Sequence, residues 1–308
     1  MLLIRDIDTF RSPPSVLTIG NFDGVHKGHQ RLFDILRGRA HDLGALATVV
    51  TFEPHTRAVV RPGAPLHLLT QLPEKLELFA EAGLDQAAVA PFTAETARLD
   101  AQRFLTWLTA SFPILELWEG ENFALGHART GNLGVLAEIG RELGFAVRVF
   151  PHQRAGGKVI SSTEIREALA AGEVREAAEM LGRPYTVPGI VIPGAHRGRE
   201  LGFPTANLDP PPNQAIPADG VYATLVRRAD GEPLPSITSI GNRPTFGPGE
   251  RLLEVYILDF DGDLYGERLL VDFVEYLRPQ VAYSGVEPLI AQMQEDLART
   301  RAVLAVPG

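Results

Sequence analysis

The first 150 residues switch hydrophobic period repeatedly, and that rhythm constrains the fold more than any other property of the chain. Apolar runs that read as buried strands occupy 15–22, 45–52, 85–92, 114–120 and 145–150. Amphipathic stretches separate them, for example 73–83, 101–111 and 132–143. Strand, helix, strand in repetition requires crossover connections, which give a parallel sheet covered by helices on both faces. The expectation is a doubly wound α/β domain. The texture then changes. Residues 161–182 read as two short helices separated by Gly172, and after Arg183-Pro184 the chain is β-rich and heavy in Pro and Gly. Short strands bounded by turn residues indicate an antiparallel barrel or sandwich. Apolar residues recur at helical spacing over 286–304, which predicts a C-terminal helix. The expected domains are therefore 1–183 and 184–308.

Composition narrows the function classes. A chain of 308 residues is long enough for two cores. It has no cysteine, so disulfides, thiolate metal sites and a thiol nucleophile are excluded. Arg5, Asp6 and Asp8 interrupt the first ten residues, so no signal-peptide core is expected there, and no apolar run approaches membrane-spanning length. A cytoplasmic protein with no membrane partner is the expectation. The net charge of −9 argues against nonspecific binding to nucleic acid or acidic membranes. A protein of this charge that handles phosphates must concentrate positive potential locally, at helix N-termini, at a few Arg and Lys, and through Mg²⁺.

Gly-Asn-Phe-Asp-Gly-Val-His-Lys-Gly-His spans Gly20 to His29, where the first strand gives way to the first crossover helix. Ligands of open α/β sheets bind at such a place, outside the carboxyl ends of the strands. Gly20 and Gly24 let the backbone turn sharply and approach a ligand. A helix starting near Lys27 aims free N–H groups and its positive dipole end outward. His26 and His29, three residues apart, share one face of its first turn. Two imidazoles there can donate to a polyphosphate and to the charge that develops in adenylyl transfer. The bland alternative is that the pair only caps the helix. Further on, Ser161 and Glu164 form a capping-box pattern, yet the hydroxyls of 161–163 with Arg166 could equally cradle a phosphate.

The decapeptide resembles the HxGH signature of nucleotidyltransferases, in the GxFDGxHxGH form of FMN adenylyltransferases. Thr51-Phe52-Glu53-Pro54-His55 resembles that family's FEPH turn, Glu121-Asn122-Phe123 a segment that contacts ATP and flavin, and Ile160 to Arg166 the ISSTxIR signature. The resemblance implies catalytic roles for His26, His29 and Arg166. It implies ATP and phosphate contacts at Gly20, Asn21, Phe22, Gly24, Asn122, Ser161, Ser162 and Thr163, and flavin contacts at Phe52, His55 and Phe123. Two positions depart from the family pattern: Leu125 stands where a second aromatic is usual, and Thr56 where proline is usual. Trp118 or Phe123 is then the candidate for the missing stacking surface.

In the second half, glycines at 189, 194, 198 and 202 lead into Pro204-Thr205-Ala206-Asn207. Glycines alone fit the bulges and bends of a barrel. A hydroxyl and an amide two residues apart in extended chain, however, point the same way and could ligate Mg²⁺ and a nucleotide phosphate together. GRELGFPTANL resembles the riboflavin kinase domain, as do Ile240 to Phe246 and Glu254 to Phe260. The resemblance implies phosphate contacts at Gly198, Thr205 and Asn207, Mg²⁺ ligation by Thr205 and Asn207, a flavin contact at Arg243, and Glu254 as the base for the riboflavin 5′-hydroxyl. A carboxylate there suits an alcohol attacking a γ-phosphoryl group; the alternative is a strand carboxylate facing solvent. The implied fold is a doubly wound α/β domain followed by a six-stranded Greek-key barrel with a terminal helix. The implied substrates are riboflavin, FMN and ATP, with Mg²⁺ as cofactor and FMN and FAD as products, in a monomer or weak homo-oligomer. Two rivals are weighed against this reading: an adenylyltransferase for another phosphate monoester, which the PTAN and Glu254 segments oppose, and a flavin-binding regulator or storage protein whose catalysis has lapsed, which would not require all of these residues. A class I aminoacyl-tRNA synthetase shares the HxGH idea, but the chain is acidic with no evident RNA-binding module.

Overall fold

The computed structural model describes residues 1–155, 157–194, 203–229, 231–242 and 251–305. By contacts within the chain it comprises two compact units, Met1–Ser162 and Thr163–Gly308.

In the first unit the strands are β1 (Leu2–Ile4), β2 (Ser15–Ile19), β3 (Leu46–Glu53), β4 (Gln86–Pro91), β5 (Ile114–Gly120) and β8 (Ala146–Phe150), with two short hairpins, β6 (Ala124–Leu125) with β7 (Gly131–Asn132) and β9 (Arg154–Ala155) with β10 (Lys158–Val159). The helices are α1 (Lys27–Leu43), α2 (Thr56–Val60), α3 (Leu72–Glu81), α4 (Ala101–Ser111) and α5 (Leu133–Leu143). Six strands form an all-parallel sheet in the order β1-β4-β3-β2-β5-β8. Alternate residues feed opposite faces, as the strand period demands. Leu17, Val50 and Phe52 pack with Phe104, Leu105 and Leu136 of α4 and α5. Val16, Val49 and Ala87 pack with Phe33 and Leu36 of α1 and Phe79 of α3. This is the doubly wound arrangement that the alternating period requires. The strand at Leu2–Ile4 has no counterpart in the sequence reading, because three residues, of which Leu2 and Leu3 are exposed, carry no period.

The second unit begins with α6 (Ser162–Ala170) after its first residue, continues through α7 (Val174–Leu181), and then forms a barrel. Gly172, at φ +80°, separates the two helices. The barrel strands are β11 (Tyr185–Ile192), β12 (Ala206–Asp209), β13 (Gly220–Arg227), β14 (Leu234–Asn242), β15 (Arg251–Ile257) and β16 (Arg268–Arg278), closed in the order β11-β12-β15-β14-β13-β16 with antiparallel pairing. Closure removes the edges that an open sheet would expose. α7 lies against β11 and β16, and the terminal helix α8 (Val286–Val303) against β13, β14 and β16. The change of texture at 183/184 marks the start of the barrel strands, whereas the helical pair before it joins the same compact unit as the barrel.

Candidate active sites

The parallel sheet reverses its order at β2. From there the chain winds through β3 to β4 on one side, and β5 and β8 lie on the other. β2 and β5 pair only as far as Leu17 and Leu117, although both strands continue, so they part at their carboxyl ends. The Ile19 N–H donates instead to Glu119 Oε1 at 2.8 Å. Burial pushes the Glu119 carboxyl well above the ordinary range, opposed by this bond. Such a parting at a switch point is where doubly wound sheets bind ligands.

The loop that leaves β2 is tightly wound. Phe22 (φ 48°), Gly24 (φ 86°) and Val25 (φ 41°) all occupy left-handed conformations, which is costly for a β-branched valine. The buried Asp23 carboxylate holds the loop by accepting from the N–H groups of Leu69 (2.9 Å) and Thr70 (3.1 Å), while the Gly24 N–H donates to Thr70 Oγ1 at 2.8 Å. Ser162, at the start of α6, donates to the Asp23 carbonyl at 2.8 Å. Ser162 is thereby held to the HxGH loop. Thr163 and Arg166 follow on the same helix, Arg166 one turn past Ser162.

His26 is the N-cap of α1, and its Nδ1 accepts from the His29 N–H over a long 3.4 Å. The two rings stack with centroids 3.6 Å apart and 17° between planes. Capping and ligand binding are thus compatible uses of His26. The Phe22 edge meets the His29 ring at 5.1 Å and joins Phe33 and Phe79. Because the Phe22 side chain is in the core, a ligand at this position meets its backbone. His29 Nδ1 is shielded from solvent and has no hydrogen-bond partner. Burial, then the neighbouring His26 and Lys75, hold the His29 pKa well below its ordinary value. The imidazole is neutral at pH 7 and can still donate through its other ring nitrogen.

On the proposed flavin side, His55 is the N-cap of α2, its Nδ1 accepting from the Arg57 N–H at 3.1 Å. Phe52 is buried, its ring packed on Phe92 and Phe104. Leu125 is also a core residue, and Phe123 packs partly buried against the same cluster. Trp118 packs on the opposite face of the sheet and donates its indole N–H to Glu116. Asn122 pairs its amide with His152 Nε2 at 2.8 Å. Asp23, Thr70, Lys75 and Glu119 were not singled out from the sequence. Only Lys75 leaves a trace there: it lies four residues before Phe79, so a charge sits on the apolar stripe of an amphipathic helix.

In the barrel, Asn207 of β12 stands directly opposite Glu254 of β15 in the antiparallel register. Directly opposed residues share a sheet face, with Cβ atoms about 4.5–5.5 Å apart. Leu253, Val255 and Ile257 point into the interior, so Glu254 and Tyr256 lie on the outer face. Glu254 is half-buried there, not freely solvated. Phe203 meets Tyr256 edge-on at 5.4 Å. Thr205, half-buried, immediately precedes β12 and is two residues from Asn207. A Cβ at Gly194 would overlap Asn207 Nδ2, so this glycine makes room for the amide. Gly198 and Arg243 lie outside the described residues. Thr205, Asn207 and Glu254 offer hydroxyl, amide and carboxylate oxygens, a donor set that fits Mg²⁺. Among the described residues no group of three or more His, Asp or Glu is placed to hold a metal, and no helix is long and apolar enough to cross a membrane.

A doubly wound unit with paired histidines at its switch point, followed by a barrel that sets an amide opposite a carboxylate, is an arrangement suited to a two-part nucleotide-dependent transferase. A family model described as FAD synthetase matches residues 9–164, and one described as riboflavin kinase matches 181–304. The bifunctional riboflavin kinase/FMN adenylyltransferase of Listeria monocytogenes is 38% identical over 294 residues, covering 94% of this chain and 92% of the relative. That of Escherichia coli K12 is 36% identical over 300 residues, 96% of each. A crystal structure described as a macrolide-efflux protein from Streptococcus pneumoniae superposes with a TM-score of 0.87 at 29% identity, covering 97% of this chain and 98% of that one. The chain belongs to the bifunctional riboflavin kinase/FMN adenylyltransferase family, with the FAD synthetase part N-terminal and the kinase part C-terminal.

Proposed function

We propose the following division of labour for the two activities, riboflavin + ATP → FMN + ADP and FMN + ATP → FAD + pyrophosphate. Residues 1–183 carry adenylyl transfer and 184–308 carry the kinase. In the first reaction site, ATP phosphates lie over the loop Gly20, Asn21, Phe22 and Gly24 and the N-terminus of α1. His26 and His29 donate to charge that grows on the α-phosphate as the FMN phosphate attacks. Neutral His29 serves as a donor without having to lose or gain a proton. Ser161, Ser162, Thr163 and Arg166 form the second phosphate cradle, supported by the Ser162–Asp23 bond. Asn122 contacts the nucleotide, and His55, Phe123 and the edge of Phe52 the flavin.

In the kinase site, Glu254 accepts the proton of the riboflavin 5′-hydroxyl as its oxygen attacks the γ-phosphorus. Thr205 and Asn207 would hold Mg²⁺, which neutralises nucleotide phosphate charge when bound. Gly198 and Arg243 complete the phosphate and flavin contacts. The observation that supports this reading is the opposition of Asn207 and Glu254 on one barrel face, an arrangement suited to a phosphate ligand beside a proton acceptor. The substrates are free small molecules, and we place the enzyme in the cytoplasm as a monomer or weak homo-oligomer with no nucleic-acid or membrane partner. Incubation of the purified chain with riboflavin, ATP and Mg²⁺, followed by chromatography of the flavins, tests the reading. FMN and then FAD are expected; the appearance of neither rejects it.

A further inference from the structure

Lys75 lies in the first turn of α3, whose approach is fixed by the bonds from Leu69 and Thr70 to Asp23. It is only 3% exposed. Four residues later on the same helix face, Phe79 packs against Phe22 at 5.8 Å, and Phe22 in turn meets His29 at 5.1 Å. Lys75 therefore leaves the helix toward the loop that carries the histidines. The ionisable groups that act on it are Asp23 in that loop and Glu53 at the end of β3, and it acts in turn on His29 of α1. These three groups belong to the loop after β2, to α1 and to the end of β3, so the lysine faces both the proposed ATP loop and the strand that leads into the proposed flavin turn.

No hydrogen bond or ion pair satisfies that ammonium among the described residues. Asp23 is already engaged with the amides of Leu69 and Thr70. A buried cation without a close counter-ion destabilises a fold, and such groups concentrate at functional sites. The chain as a whole carries −9, so two phosphates can meet on it only where positive charge is supplied locally.

We propose that Lys75 is a catalytic residue of adenylyl transfer, its ammonium holding the incoming phosphate monoester against the α-phosphate of the nucleotide. The proposal rests on the adenylyl-transfer reading above. An oxygen of the FMN phosphate forms a bond to the α-phosphorus, and the bond from that phosphorus to the bridging oxygen breaks. The electron pair leaves with pyrophosphate, and Lys75 stays protonated, exchanging no proton.

The test uses the full chain carrying Lys75→Met and Lys75→Arg. FAD formation from supplied FMN, FMN formation from riboflavin, and thermal melting are measured on each preparation. Lys75→Met is expected to melt at or above the wild-type temperature while FAD formation falls about 100-fold or more, the loss typical of one charge-stabilising donor. Its kinase activity should be unchanged, and Lys75→Arg, which keeps the charge, should recover much of the loss. FAD formation by Lys75→Met within about threefold of wild type, against the ~10² expected of such a donor, overturns the proposal. So does a loss accompanied by lower melting that Lys75→Arg does not repair, since that marks a structural lysine. Wild-type protein unable to convert FMN to FAD defeats the adenylyl-transfer reading itself, and this proposal with it.

Discussion

Asn21 and Thr56 grip each other by two hydrogen bonds: Asn21 Nδ2 donates to Thr56 Oγ1 at 2.9 Å, and the Thr56 N–H donates to Asn21 Oδ1 at 3.2 Å. Thr51 Oγ1 adds a bond to the Asn21 carbonyl at 3.3 Å. The loop after β2 is thereby locked to the turn after β3. Proline, usual at position 56 by the family resemblance, has neither an N–H nor a hydroxyl and could make neither bond. The Asn21 amide is thus engaged by protein, so in the proposed ATP site it acts through the shape of the loop.

Thr56→Val should cost about 1 kcal/mol of stability through the lost hydroxyl bond. It should raise KM for FMN several-fold with little change in kcat, and Thr56→Ser should restore KM. Steady-state kinetics with FMN varied at saturating ATP checks this; an unchanged KM would leave the pair a purely structural tie.

His29→Ala is expected to abolish FAD formation while FMN still accumulates, with a loss of ~10²–10³ in rate if the imidazole stabilises charge in the transition state. Chromatography of products from riboflavin and ATP separates the two activities, and loss of both contradicts the two-site assignment.

The same residue makes stability depend on pH. Its folded-state pKa lies well below 6.5, so below about pH 6.5 the unfolded chain binds a proton that the folded chain does not. Stability from this source is complete above that pH and declines as pH falls toward the folded value. His29→Ala should flatten that part of the curve, which denaturant titrations at stepped pH will show.

Glu254→Gln keeps volume and hydrogen bonding but removes the proton acceptor. Riboflavin phosphorylation should fall by the ~10²–10⁴ typical of a positioned base, with adenylylation of supplied FMN unaffected. Assaying both half-reactions on one preparation decides the matter. A kinase reduced less than about tenfold would make Glu254 an orienting group, because a loose phosphoryl-transfer transition state needs little help from a base.

A fragment of 163–308 should fold, remain soluble and phosphorylate riboflavin, and a fragment of 184–308 should melt at a lower temperature. α7 buries Val174, Ala177, Met180 and Leu181, and the Leu169 carbonyl of α6 accepts from the Ala218 N–H at 2.9 Å. Truncation at 184 removes that cover from the barrel. Equal melting of the two fragments would show the helical pair to be dispensable.

Local periodicity was enough for much of this protein. The helices at 101–111 and 132–143 and the strand at 114–120 are legible because hydrophobic spacing follows directly from which face of an element is buried, and α1 begins at Lys27 where a glycine-rich turn meets a capping histidine. The pairing of His26 with His29 was equally legible, since residues three apart share a helix face. The opposition of Asn207 and Glu254, 47 positions apart, was decided by barrel register, which no local pattern encodes. Tertiary structure alone also brought Thr70 and Lys75 to the loop, turned Leu125 into the core, and placed the Glu119 carboxyl where β2 and β5 part. These contacts depend on how separate elements pack, and packing is a property of the assembled layers rather than of any one segment's pattern.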